Sequence, residues 1–85
     1  MPRVRIPTPL LSYTNATWVH ADGETVDEVM QNLDRAYPGL RFRVVDEQNA
    51  IRKHMRIFLN DNITDLSETV SEVDIVTLMQ ALSGG

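Results

Sequence analysis

The residues with the most distinctive chemistry are the last two of the chain, Gly84 and Gly85. Neither has a Cβ, so the backbone here can thread a narrow channel and present a bare carboxylate to another enzyme. They follow a strand-like run from Asp74 to Leu82. The plain alternative is a C-terminal tail without a function, so the rest of the chain must decide between the two.

Few other residues offer chemistry. The sequence has no cysteine, which excludes a disulfide framework, a thiolate metal site and a cysteine nucleophile. The two histidines, His20 and His54, belong to no metal-ligand spacing motif. We therefore expect no metal site, and ordinary surface or loop histidines.

The charge pattern restricts the class of partner. The formal net charge is −4, which disfavours nucleic acid, since phosphate binding needs a basic surface. All eight lysines and arginines lie before residue 60, and the chain beyond it is acidic. This acidic block is either a solvated face or a flank that docks on a basic partner. No apolar run is long enough for a membrane span and no signal peptide is evident, so we expect a cytoplasmic protein.

Hydrophobic periodicity predicts one main helix among about five short strands. Thr25 and Glu28 form a capping-box pattern at the start of an amphipathic helix, which Pro38-Gly39 ends. Residues 40–54 are ambiguous between a helical turn and an extended segment. The expected strands include Val4 and Ile6, Thr17–Ala21, Met55–Leu59, a brief one beginning at Ile63, and Asp74–Met79, with a turn over Ser12–Asn15 and crossing anchors at Leu66, Val70 and Val73.

The order β-β-α-β-β-β predicts an α+β fold with a helix across one face of a mixed sheet. The first and last strands can pair in parallel only through a long connection. This arrangement is the β-grasp, or ubiquitin-like, fold. We expect it to occupy residues 1–82, with residues 83–85 as a flexible C-terminal tail.

The sequence resembles the ThiS/MoaD family of ubiquitin-like sulfur carrier proteins, and within it the CysO-type carriers. The resemblance spans the chain, although Val73 stands where many members have glycine, which implies a different turn there. The segments that carry it are Ile6-Pro7-Thr8-Pro9-Leu10, Gly23-Glu24-Thr25-Val26, Ile57-Phe58-Leu59-Asn60-Asp61, Asp74-Ile75-Val76-Thr77-Leu78 and Ala81-Leu82-Ser83-Gly84-Gly85.

The resemblance implies a protein cosubstrate rather than an enzyme. An E1-like adenylyltransferase would use MgATP to adenylate the Gly85 carboxylate, and a cysteine desulfurase or rhodanese-type donor would supply sulfur for a thiocarboxylate. A sulfur-accepting synthase would then take the sulfur. Gly84 would keep the tail slender, and Ser83 and Leu82 would position it. The resemblance implies no bound cofactor.

Strand alternation predicts which sheet face meets these partners. We expect it to carry an aromatic and methionine cluster beside arginines, a composition typical of protein interfaces. The predicted docking residues are Phe58, Met79, Thr77, Arg56 and Arg5, with Arg3, Trp18 and His20 on the same face. We expect a monomer when free.

Two other classes of function remain open. A ubiquitin-like modifier would use the same activated Gly85 to form an isopeptide bond with target lysines. A β-grasp interaction module would make no use of its terminal glycines.

Overall fold

The computed structural model describes residues 1–81, so the predicted tail over residues 83–85, and Leu82 before it, lie outside the described residues. Five strands form one sheet, with helices on one side of it. In chain order the elements are β1 (Arg3–Arg5), a 3-10 turn (Thr8–Leu10), α1 (Leu11–Thr14), β2 (Trp18–His20), α2 (Val26–Ala36), α3 (Leu40–Val44), β3 (Met55–Leu59), β4 (Asn62–Thr64) and β5 (Ile75–Gln80).

The strand order in the sheet is β2-β1-β5-β3-β4. β1 and β5 pair in parallel at its centre, with Val4 opposite Val76. The other three pairings are antiparallel. A parallel pair needs a crossover connection, and all the intervening elements supply it. The predicted mixed β-grasp sheet with a parallel first-to-last pairing is therefore confirmed.

The main helix begins as predicted, with one change in its cap. The Thr25 hydroxyl accepts a hydrogen bond from the Glu28 amide at 3.2 Å. The Glu28 carboxylate, however, accepts from the Glu24 amide at 3.0 Å, one residue before the cap. The backbone on either side of Thr25 is bonded to the segment that holds Glu68 and Val70, which fixes the direction in which the chain enters the helix.

A left-handed glycine joins helix α2 to helix α3. Gly39 has φ 95°, and its amide and that of Arg41 donate to the Asp34 carboxylate at 3.1 Å each. The chain then forms α3, which settles the ambiguity at the start of residues 40–54. The Arg41 guanidinium pairs with Asp27 at 2.9 Å and so ties α3 to the first turn of α2.

The expected turn over Ser12–Asn15 is wrong in part. The 3-10 turn and α1 occupy residues 8–14, and α1 ends at Asn15, a left-handed residue with φ 55°. Pro9 in the first turn is compatible with helix initiation, because its missing amide would be unpaired there in any case. The prolines of this segment therefore begin helical structure as well as ending β1.

The core lies between the sheet and the helices. Alternate strand residues and the apolar stripe of α2 supply it, as the sequence predicted, and Leu59 and Tyr37 pack partly buried at its margin. Val73 was expected among its anchors, but it is 88% exposed. The fully or nearly fully buried residues include Val4, Ile6, Val19, Val26, Val29, Met30, Leu33, Leu40, Val44, Ile57, Val76 and Leu78.

Val73 is exposed because its turn is built from polar groups. The Asp74 amide donates to the Ser71 carbonyl at 3.1 Å, and the Ser71 amide donates to the Asp74 carboxylate at 2.8 Å. Val73 is not among the residues with positive φ. A turn that needs no left-handed residue tolerates valine, which is the different local geometry that the sequence implied.

Candidate partner-binding surface

The last described residues are held firmly in the sheet. Gln80 lies opposite Met55 in the β3–β5 pair, and the Ala81 amide donates to the carbonyl oxygen of His54 at 2.8 Å. The hydrogen-bonded ladder therefore continues to within one residue of Leu82. Any group carried by Gly85 is attached to the centre of the sheet through β5, because β5 lies between β1 and β3.

The sheet face turned away from the helices carries a row of side chains that crosses every strand. The row has one residue from each strand, and the β pairings place each of them opposite the next. We call this face, with its row, the open sheet face. In order from one edge to the other the row is Trp18, Arg5, Thr77, Phe58 and Ile63.

The five predicted docking residues all lie on the open sheet face. Arg56 lies opposite Met79, which is two residues beyond Thr77 towards the end of β5. Met79 is 46% exposed and Arg56 is exposed, whereas Phe58 and Thr77 are half-buried. The face thus combines exposed apolar side chains with the positive charges of Arg5 and Arg56, a composition that suits protein recognition. Docking there stays a prediction.

Arginines and an aromatic ring are organised together at one edge of this face. The guanidinium carbons of Arg3 and Arg5 lie 4.8 and 5.8 Å from the centroid of the Trp18 ring. Such cation–π contacts restrain the long arginine side chains and keep both charges at the surface. His20 is exposed opposite Arg3.

Sequence reasoning missed Ile63 as part of this surface. It is 63% exposed and lies opposite Phe58 on the edge strand β4. Its position could have been found from register, since residues opposite each other in adjacent strands share a face. The shortness of β4, with three residues, hid the alternation.

Two carboxylates of the acidic block, those of Asp65 and Asp74, accept hydrogen bonds within their own turns. Hydrogen bonds from the Ser67 hydroxyl and amide lower the pKa of Asp65. The Ser71 amide and the Asn60 side chain lower the pKa of Asp74. These carboxylates therefore stabilise turns, and the block is at least partly structural in role.

Within residues 1–81, no three His, Asp or Glu side chains come together as a metal site could require. None of the helices in this range is long and apolar enough to cross a membrane. The cytoplasmic location and the monomeric free state stay predictions.

Comparison with known proteins identifies the class. The model of the ThiS family matches residues 4–85, and the chain belongs to that family. Its fold is the ubiquitin-like β-grasp fold, shared with the solved structures that it resembles.

Some of the relatives that this chain resembles are sulfur carrier proteins named CysO. The chain is 30% identical to the sulfur carrier protein CysO of Mycobacterium tuberculosis, over 96% of each protein. It matches a chain in the crystal structure of the BexX/CysO complex of Amycolatopsis orientalis with a TM-score of 0.91 and 28% identity, over 100% of both chains. The small archaeal modifier protein 1 of Methanosarcina acetivorans, at 22% identity and a TM-score of 0.81 over 98% of this chain and 94% of that one, shows the fold alone.

Proposed function

We propose that this chain is a sulfur carrier whose Gly85 carboxylate is converted to a thiocarboxylate. The observation that supports it most is the ThiS-family match, which extends through Gly85. The relatives of 27–30% identity that it matches over nearly their whole length are named CysO, and the curated ones are named sulfur carriers. The position of β5, which leads from the centre of the sheet towards the two glycines, agrees with this role.

The proposed reaction begins on a partner enzyme. A carboxylate is a poor electrophile, so an E1-like adenylyltransferase first joins the Gly85 carboxylate to the α-phosphate of MgATP and releases pyrophosphate. Sulfur from a cysteine desulfurase or rhodanese-type donor then attacks the acyl carbon, and AMP leaves. Where that sulfur arrives as a protein persulfide, a thiol must reduce the resulting acyl disulfide to free the thiocarboxylate.

The chain's own contribution is recognition and presentation. Ser83 and Leu82 position the reacting end, and Gly84 keeps it slender enough for a closed channel. The open sheet face contacts the partner enzyme through Phe58 and Met79, since exposed aromatic and methionine side chains supply the buried centre of protein interfaces.

A sulfur-accepting synthase completes the cycle. The candidate products are cysteine, molybdopterin, thiamine and a secondary metabolite. Similarity to CysO-type carriers, the type linked to a cysteine synthase, favours cysteine among them. The modifier function gains no support from the archaeal structures, since likeness at that level of identity concerns the fold.

A deletion tests the proposal. The chain and a variant that ends at Ser83 are each incubated with the host's E1-like adenylyltransferase, MgATP and labelled pyrophosphate. We expect ATP–pyrophosphate exchange with the full chain and none with the shortened one. Equal exchange from both, or an equal ability of both to support the host pathway, would leave a plain interaction module as the better account.

A further inference from the structure

The two ends of the sheet, at which its strands begin and finish, carry opposite charges. β1 and β5 both finish at one of these ends, where β3 begins, because β1 is parallel to β5 and β3 is antiparallel to it. We call this end the basic edge; its cationic residues are Arg43, Arg52, Lys53 and Arg56, and His54 lies among them. The opposite edge, where β5 begins, holds Asp22, Glu24, Asp61, Glu72 and Asp74 against one arginine, Arg3 at the start of β1.

Contacts place the basic edge at the end of β5. The Met55 amide donates to Arg52 O at 2.9 Å, and the His54 carbonyl accepts from Ala81 at 2.8 Å. A small cleft lined by Arg43, His54, Met55 and Gln80 joins α3 to the last residues of β5, with Pro7 and Pro9 on its other side. Arg43, His54 and Arg56 therefore lie beside the last residues of β5.

The charge of this edge is not cancelled by acidic partners in the described chain. Within residues 1–81 the single ion pair joins Arg41 to Asp27, away from these residues. Arg52 and Arg56 hydrogen-bond backbone carbonyls instead, which hold their side chains without neutralising them. A protein of net charge −4 thus keeps a positive edge around the base of its reactive segment.

We propose that the basic edge docks on an acidic protein surface around the mouth of the channel that receives Gly85 on the adenylating enzyme. This inference rests on the proposed function. Opposite charges at the two edges orient the chain as it approaches, so that the end of β5 faces an acidic mouth and the acidic edge faces away. Such steering raises association rates by about tenfold or more and weakens as salt increases.

A protein partner fits this edge better than nucleic acid. Phe42 is 55% exposed beside the edge, with the Arg52 guanidinium carbon 4.5 Å from its ring centroid. An exposed aromatic stacked with arginine is typical of protein interfaces. The acidic edge and the net negative charge would repel a phosphate backbone.

Charge reversal at Arg43 tests the proposal, with Arg35→Glu as the matched control. Arg43 and Arg35 both lie exposed in the last turn of a helix, but only Arg43 lines the cleft at the end of β5. ATP–pyrophosphate exchange by the host's adenylyltransferase is measured against carrier concentration at low and high ionic strength. Far-UV circular dichroism and thermal unfolding verify that each variant folds, and Lys53→Glu replaces Arg43→Glu should the latter not fold.

We expect Arg43→Glu to raise KM for the carrier about tenfold at low salt with kcat unchanged, and the difference to shrink at high salt. Arg35→Glu should stay within about twofold of the parent chain. Equal effects of the two variants, or an Arg43→Glu effect that ignores salt, would overturn the inference while leaving the proposed function standing. Absence of exchange with the unmodified chain would overturn both. Binding to short duplex DNA that Arg43→Glu abolishes would assign the edge to nucleic acid instead.

Discussion

Met79 lies directly opposite Arg56 across the β3–β5 pair, on the open sheet face and two residues before the last described one. The pair combines an exposed apolar side chain with a fixed positive charge, since Arg56 also bonds two backbone carbonyls. Because β5 leads to the C-terminus, a partner that holds the reactive end must pass close to this pair.

Met79→Lys should therefore weaken recognition by the activating enzyme. We expect KM for the carrier to rise about tenfold or more, since a central apolar contact in an interface is commonly worth about 2 kcal/mol. The unfolding free energy should change little, because the side chain is 46% exposed. Val73→Lys is the control: Val73 is 88% exposed at the other end of β5, and its substitution should leave KM unchanged. Equal KM values for the two variants would contradict docking at Met79.

Gly84→Ala should impair adenylation without altering the fold. The added methyl group widens a segment that we propose enters a closed channel, so ATP–pyrophosphate exchange should fall by about tenfold or more, the scale expected when a methyl group is forced into a close-packed site. The thermal unfolding midpoint should match that of the parent chain. Val73→Ala, at an exposed residue beyond the other end of β5, is the control, and normal exchange by Gly84→Ala would count against the role of Gly84.

Replacing Gly23 by alanine should cost more unfolding free energy than replacing Gly39. A Cβ there would lie 2.5 Å from the backbone nitrogen of Val29, against helix α2, which cannot move aside cheaply. We expect Gly23→Ala to cost about 3 kcal/mol of unfolding free energy in urea titrations. A Cβ on Gly39 would meet only the Tyr13 ring at 3.4 Å, so Gly39→Ala should cost about 1–2 kcal/mol for its left-handed backbone. The reverse order of the two costs would refute this packing argument.

Asp74 should make stability depend on pH in the acid range. The Ser71 amide and then the Asn60 side chain lower its pKa in the folded state. A lowered folded-state pKa means that the stabilisation is present above the unfolded-state pKa and is lost as pH falls through the folded-state pKa. Asp74→Asn should accordingly be less stable than the parent chain near neutral pH, with the deficit shrinking in acid.

Urea titrations over a pH series check this behaviour, with Asp61→Asn as control. Asp61 makes no side-chain hydrogen bond among the residues that the structure describes, so its substitution should cost little unfolding free energy. A deficit in Asp74→Asn that stayed constant from neutral to strongly acid pH would show that the carboxylate charge is not what stabilises the turn.

The parts of the fold that depend on periodicity could be predicted from sequence. Alternation gave the inward residues of β1, β3 and β5, and the 3.6-residue stripe gave α2, because both patterns follow from burying one face. The prediction of a turn over Ser12–Asn15 was wrong in part because most of this segment is helical. The helix ends at Asn15, whose left-handed backbone conformation cannot be read from composition. The prediction that Val73 anchors the core was wrong because an apolar residue in a polar turn need not be buried.

Most residues of the candidate surface could be predicted one by one, but their arrangement could not. Phe58 and Thr77 could be assigned to one face from alternation alone. That Trp18 and Ile63 complete a single row with them depends on strand order and register, which arise from long-range pairing. The basic edge was hidden for the same reason, since Arg43 meets Gln80 only through the fold.

We propose above that Gly85 carries sulfur, and the intact mass of the chain purified from its native host can show this. We expect a fraction of molecules whose mass corresponds to one carboxylate oxygen replaced by sulfur, located at Gly85 by fragmentation and increased further when an alkylating agent reacts with the thiocarboxylate sulfur. A variant that ends at Ser83 should lack this species. Conjugates in which Gly85 is joined to lysines of other proteins, with no thiocarboxylate in cells that are using the pathway, would show instead that the chain is a modifier.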